Sequence, residues 1–247
     1  MTSRREGRCP EVAGPRGGHV RCGVHAMAEY RIREYRDEDY EAARELFAAA
    51  MSEHAPGLCM HVLHQPWVLL VLACTFTLLL ASSRSVLLPV LAVTLLLALG
   101  RQLLSYAWGL YIERCLGDDL RDIHASYVEP ASSCFWVAEA AEGVVGTVAA
   151  RPADAGNGTL MLRRMAVRRD FRGRGVATAL GRAVLGFAQH RGCRAVVLNT
   201  LMVQHEARRL YEHLGFQPDR RYLLPTLYGR LAGCVITTYR YDLPAAD

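Results

Sequence analysis

One stretch constrains the fold more than any other: WVLLVLACTFTLLLASSRSVLLPVLAVTLLLALG, residues 67–100. Arg84 is its single charged residue. A straight helix of that length would run roughly 50 Å, against a hydrocarbon core of about 30 Å. Its apolar residues fall all round a helix, so no face suited to water remains. The polar SSRS at 82–85 and Pro89 divide the run into two halves. Each half, about 15 residues long, is roughly 22 Å of helix, short for a full span. The expected element is a membrane-embedded helical hairpin, either two tight spans or a re-entrant pair. Two buried core helices are the alternative. In a hairpin both flanks lie on one side. Arg44 before it and Arg101 and Arg114 after it point that side to the cytosol. The lipid bilayer is therefore an expected partner.

The remaining composition sets the class. A chain of 247 residues holds one large or two small domains, and 51% hydrophobic residues suffice for a core. Every one of the 29 basic residues is arginine, which favours bidentate contact with phosphate or carboxylate. A net charge of +5 is too small to argue for nucleic acid. The eight cysteines, at 9, 22, 59, 74, 115, 134, 193 and 234, form no CxxC pair. That scatter fits neither a disulfide framework nor a zinc site, and no metal is expected. It suits a reducing compartment. Residues 1–26 are rich in Gly, Pro and Arg without apolar periodicity, and carry five Arg against two Glu. They read as a disordered leader without the apolar core of a secretory signal.

The elements follow from periodicity and punctuation. Ile32 and Tyr35 belong to a short strand. Asp37 reads as a helix N-cap, followed by Tyr40, Ala43, Leu46 and Phe47 at helical spacing and closed by Pro56 and Gly57. GDDLRDIHASYVEP reads as a helix capped near Asp118. SCFWVAEA and VVGTVAARP are strands joined by a turn at 141–143. A loop at 153–158 leads to a strand at 159–167, a helix at 176–191 and the strand CRAVVLNT. QHEARRLYEHLGF is a helix closed by Gly215. YLLPTLY and LAGCVITTYRYDL supply the last strands. The class is α/β with a mixed sheet. The division expected is a leader at 1–26, a first strand and helix at 27–60, a hairpin with flanks at 61–107 and a catalytic core at 108–247. Asn157-Gly158-Thr159 fits a glycosylation pattern, but in a cytosolic domain it is simply a turn.

The chemistry concentrates in Arg172-Gly173-Arg174-Gly175-Val176-Ala177, between a strand and a helix. Glycines there admit a ligand to the backbone, and the free N–H groups of the first helical turn favour an anion. Arg168 and Arg169 add charge. The site is suited to a pyrophosphate. A P-loop requires a lysine that the chain lacks. A dinucleotide turn requires glycine at 178 and an acidic residue near 199, where Thr178 and Asn199 stand. Coenzyme A is the third option.

The turn, the strand RRMAV before it and ARRLYEHLGF downstream resemble the GNAT superfamily of N-acetyltransferases. The amino-terminal strand and helix, the hairpin, DDLRDIHASY and SCFWVAE narrow the resemblance to the camello-type family, over about Met27 to Leu243. MSEHAP at 51–56 looks closer to its cysteine S-conjugate branch. YLLP at 222–225 and SSRS at 82–85 look closer to its aspartate branch.

The resemblance implies a mixed, mostly antiparallel sheet flanked by helices and interrupted by the hairpin. It implies direct acetyl transfer from acetyl-CoA to an amine, at the endoplasmic reticulum membrane. The pantetheine arm would lie along Met165, Ala166 and Val167, with an N–H near Val167 polarising the thioester. Arg172, Gly173, Arg174, Gly175, Val176 and Ala177 would hold the pyrophosphate, and Gln204 would contact the coenzyme. Tyr211 would protonate the leaving thiolate, and Glu139 or a chain of water would serve as base. Asn199 would bind substrate, and Arg163 or Arg164, one on each strand face, would meet its carboxylate. His54, His61 and His64 read as membrane-surface residues. The first-choice substrate is a cysteine S-conjugate, with aspartate or protein lysine behind it. A non-catalytic hairpin protein is the rival of another class.

Overall fold

The computed structural model describes residues 30–83, 85–153, 158–225, 229–230 and 232–244. The expected leader, Arg84 and the Asn157 acceptor lie outside the described residues. Seven strands form one sheet: β1 (Arg31–Glu34), β2 (Cys134–Ala140), β3 (Gly143–Pro152), β4 (Thr159–Val167), β5 (Ala195–Leu201), β6 (Gln217–Leu223) and β7 (Val235–Asp242). Their order is β1-β2-β3-β4-β5-β7-β6. Only β4 and β5 pair in parallel; every other neighbour is antiparallel. The mixed, mostly antiparallel sheet is therefore as expected.

Alternation along β2 shows how the sheet is covered. Trp136 and Ala138 face helix α5 (Val176–His190), packing with Val176, Leu180, Val184 and Phe187. Phe135 and Val137 face the other way, onto Ala43 and Phe47 of α1 (Tyr40–Ser52). Period-two alternation thus places one helix on each face. Helix α6 (His205–His213) joins the α5 side through Tyr211, and Gly215, with φ 94°, closes it.

Several expected boundaries move. Asp37 lies in a single 3-10 turn, and α1 starts only at Tyr40. Pro56 ends nothing: it opens α2 (Ala55–Leu63), since a first-turn N–H has no intrahelical acceptor to lose. The same reason lets Pro89 sit in the first turn of α4 (Leu87–Gly117) rather than divide the apolar run. The apolar pair is therefore unequal. Helix α3 (Pro66–Ser83) has 18 residues, about 27 Å, and α4 has 31, about 46 Å. Both are long and apolar enough to cross a membrane, and no residue of α3 is buried.

Asp118 ends α4 instead of starting a helix, and the expected helix beyond it is reduced to one π-type turn at His124–Val128. The strand expected at 222–228 begins five residues earlier, at Gln217, and 226–228 lie outside the described residues. The last turns of α4 leave the apolar pair and enter the domain. There Trp108 and Ile112 pack with Leu58 of α2 and with Cys234 beside β7.

Candidate active site

Strands β4 and β5 pair only from Thr159–Ala195 to Met161–Val197 and then part. Beyond that point the facing backbone edges have no strand between them, which opens a wedge in the sheet. A cleft of about 500 Å3 lies over this wedge. Its walls come from Met161 to Met165 of β4, Leu198 to Leu201 of β5, and residues of α1, α4 and α6. Thr200 contributes a buried hydroxyl that has no hydrogen-bond partner among the described residues.

A bulge shapes the β4 wall. Thr147 pairs with Ala166 and Ala149 with Arg163, so Arg164 and Met165 together oppose Val148. Arg164 takes φ 55°, a left-handed conformation that costs a non-glycine residue about 1–2 kcal/mol. The bulge cancels the expected alternation of Arg163 and Arg164: both reach Asp119, just past the end of α4. The Arg164 guanidinium donates to both Asp119 oxygens, one bond being 3.0 Å, and Arg163 stands 3.8 Å away. The Tyr127 hydroxyl also donates to Asp119. Burial pushes the Asp119 carboxyl upward, but Arg164, Tyr127 and Arg163 outweigh it and hold it below the usual aspartate range.

The glycine-rich turn adopts the backbone its sequence demands. Gly173 and Gly175 have φ 74° and 81°, and Gly175 is the N-cap of α5. The first N–H to find a helical acceptor is that of Ala179, bonded to Gly175 O at 2.9 Å. The preceding N–H groups at the start of α5 are thus open to an anion. A Cβ on Gly175 would meet only Tyr30 Oη, at 3.7 Å, so its demand for glycine is purely conformational. Gly175→Ala is expected to cost about 1–2 kcal/mol through backbone strain alone, measurable by denaturant unfolding.

Arg172 is already engaged. Its Nε donates to Val167 O at 3.1 Å, and its two terminal nitrogens donate to Glu53, beyond the end of α1, at 2.7 and 3.1 Å. That pairing holds the Glu53 carboxyl below its usual range.

The cleft brings together Tyr211, Asn199, Arg163, Met165 and Gln204 among the residues singled out in the sequence. Ala166 and Val167 are buried at the end of β4, and Arg172 to Ala177 follow it without lining the cleft itself. Tyr211 is buried against Phe216, edge to face at 5.8 Å. Burial pushes its phenol well above the ordinary value, so it stays protonated at neutral pH. Asn199 Oδ1 accepts from Thr238 at 2.8 Å, leaving its amide nitrogen to donate. Gln204 Oε1 accepts from Leu201 N at 2.9 Å, which fixes the turn into α6.

Glu139 does not join them. It pairs with Arg31 on the β1 side of the sheet, and its carboxylate accepts from Arg33 at 2.8 and 3.0 Å. Arg33 holds it below the usual range, and it does not line the cleft where a base is needed. His54, expected at a membrane surface, instead lines the cleft. The nearest sequence signal is its neighbour Glu53, an acidic residue matched to the arginine-rich turn.

Comparison with known proteins agrees with this geometry. The model of the acetyltransferase (GNAT) family matches residues 101–216. A probable N-acetyltransferase camello of Xenopus tropicalis is 39% identical over 224 residues, covering 88% of this chain and 99% of that protein. N-acetyltransferase 8F1 of Rattus norvegicus is 40% identical over 223 residues, covering 89% of this chain and all of the relative. The fold is shared with a GNAT acetyltransferase from Staphylococcus aureus, with a TM-score of 0.55 at 15% identity over 87% of this chain and the whole of that one. The parted strands, the glycine turn and this likeness along nearly the whole described length have one common explanation: the chain belongs to the camello-type N-acetyltransferases of the GNAT family, and is an acetyl-transfer enzyme.

Proposed function

We propose that the enzyme acetylates the α-amine of a cysteine S-conjugate, at the cytosolic face of the endoplasmic reticulum membrane. The observation that carries this reading is the mixed character of the cleft. Trp108 and Tyr111, from the domain end of α4, give it an aromatic wall, while Arg151 and Arg163 give it cations. A cysteine conjugate combines an apolar sulfur substituent with a carboxylate, and each finds its match there. Membrane attachment is supported by the packing at the base of α3 and α4. Leu58, from the helix preceding the pair, meets Trp108 and Ile112 at its far end in one cluster, so entry and exit lie on one side. An apolar conjugate concentrated in the bilayer would reach the cleft from there. The choice of the endoplasmic reticulum rests on the family resemblance.

Within this reading the parted edge of β4 takes the pantetheine arm as an added strand, and the N–H groups from Gly173 to Ala177 take the pyrophosphate. The open N–H groups and the two left-handed glycines fit that anion. Arg172, held by Glu53, serves the turn's shape first. An N–H near Val167 faces the developing oxyanion, and Tyr211 protonates the departing thiolate.

Purified in detergent and supplied with acetyl-CoA, the protein is expected to release CoA faster with S-benzylcysteine than with aspartate or a lysine peptide. An equal or higher rate with aspartate would sink the conjugate assignment. Aspartate is the second reading because Arg151 and Arg163 together also suit a dicarboxylate, and Arg151 has no acidic partner among the described residues.

A further inference from the structure

We infer that His54 is the base that takes the proton from the acceptor's ammonium group. The inference rests on N-acetyl transfer and not on which amine is accepted. An amine reaches the enzyme at neutral pH largely as an ammonium ion, with no lone pair to attack a thioester. A group in the cleft must take one proton. Among the described residues lining the cleft there is no aspartate or glutamate. The arginines there stay charged, and burial keeps the Tyr211 phenol and the Cys234 thiol protonated. His54 is the remaining side chain able to accept a proton near neutral pH.

Its surroundings keep it ready. Burial lowers its pKa from the ordinary 6.5, so the imidazole is neutral at pH 7. Three charged groups face it: Glu53 beside it in the chain, Arg172 from the turn after β4, and Glu206 on α6. The two carboxylates raise the pKa and Arg172 lowers it, and burial dominates all three. Its neighbours His61 and His64 have ring nitrogens bonded to Ala232 O, Gln65 and Met60 O. No hydrogen bond engages the His54 ring among the described residues.

The chain just before it is held at two points. Trp108 Nε1 donates to Met51 O at 2.9 Å, and Arg172 grips Glu53 through two bonds. One clamp comes from the helix that walls the cleft and the other from the glycine turn, so His54 is fixed relative to both substrates' sites. That placement brings His54, which the sequence reads as a membrane-surface residue, into the catalytic machinery.

The proton count closes. His54 takes one proton from R–NH3+. The freed nitrogen pair forms the C–N bond at the thioester carbonyl, and the C–S bond breaks with its pair on sulfur. Tyr211 gives its proton to that sulfur and regains one from the amide nitrogen. The products are the N-acetyl amine, CoA thiol and one proton, which His54 passes to water.

The test uses the full chain in detergent with acetyl-CoA and whichever amine of the panel above it turns over. His54→Gln is expected to lower kcat/KM for the amine about 100- to 1,000-fold at pH 7, with acetyl-CoA affinity unchanged. The deficit narrows as the pH rises and the amine sheds its own proton. The parent profile shows a break below pH 6.5, whereas the rate of the variant falls from the amine's own pKa downward with no separate break there. Free imidazole is expected to restore part of the rate to His54→Ala. A His54→Gln enzyme with the parent rate and break overturns the inference. So does a variant that loses acetyl-CoA binding together with its rate and gains nothing from imidazole, since that marks a packing role. Turnover of another amine but not S-benzylcysteine removes the acceptor assignment and leaves this test intact.

Discussion

Tyr211→Phe lowers kcat by about 100- to 10,000-fold while acetyl-CoA affinity stays within a few-fold of the parent. The range is that expected when one proton donor is removed from an acyl transfer. The substitution deletes a single oxygen. The ring keeps its edge-to-face contact with Phe216 and its place beside Tyr239, 6.5 Å between centroids. Stability should therefore change little, which separates a chemical effect from an unfolding one. The buried phenol is a weak acid, so the step depends on proton exchange: the proton that Tyr211 gives to sulfur is replaced by the one that the amide nitrogen sheds, and no phenolate accumulates. Stopped-flow detection of CoA thiol, with acetyl-CoA binding followed separately by calorimetry, checks both halves. A variant that keeps the parent kcat would remove Tyr211 as the acid.

Asp119→Ala should destabilise the folded protein by about 3–5 kcal/mol, because it strands a buried guanidinium. The Asp119 and Arg164 side chains are only 2% and 7% exposed, so water cannot replace the lost carboxylate. The Tyr127 hydroxyl would lose its acceptor at the same time. The pair also has a pH signature. Its folded carboxyl lies below the unfolded value near 3.8. Its contribution is thus present above that value and lost as the pH falls through the folded one. Urea unfolding at pH 7 and pH 4 tests this: the gap between parent and Asp119→Ala should be full at pH 7 and begin to narrow only in strong acid. An equal midpoint for the two proteins at pH 7 would show that the ion pair adds nothing net.

The sequence made much of the frame legible, for reasons that differ by element. Strand β4 and helices α5 and α6 are marked by apolar period and by glycines at 173, 175 and 215, each in a left-handed conformation. Strand β6 carried no such signal, since all seven of its residues are exposed and no alternation singles out its start. The apolar run announced two helices, but the length of the second depended on where a proline sits within its first turn. Of the site, Tyr211, Arg163, Asn199 and Gln204 converge on the cleft because each lies on an element whose type and order were readable. Glu139 misled because nothing local reveals that its partner, Arg33, lies 106 positions away. His54 was hidden for the converse reason. Its importance comes from α1 and α2 folding back over the sheet, and only tertiary structure brings that segment to Arg172.

Position 164 carries a final consequence. It asks two incompatible things of one amino acid: a backbone that glycine or asparagine would adopt with ease, and a long cation for Asp119. Glycine relieves the strain and orphans the carboxylate. Lysine keeps the charge but gives up the two-pronged grip, and the strain remains. No single exchange at this site improves one demand without damaging the other. Among descendants of this chain, 119 and 164 should consequently drift as one unit or not at all, and engineered variants should be screened with both positions randomised together.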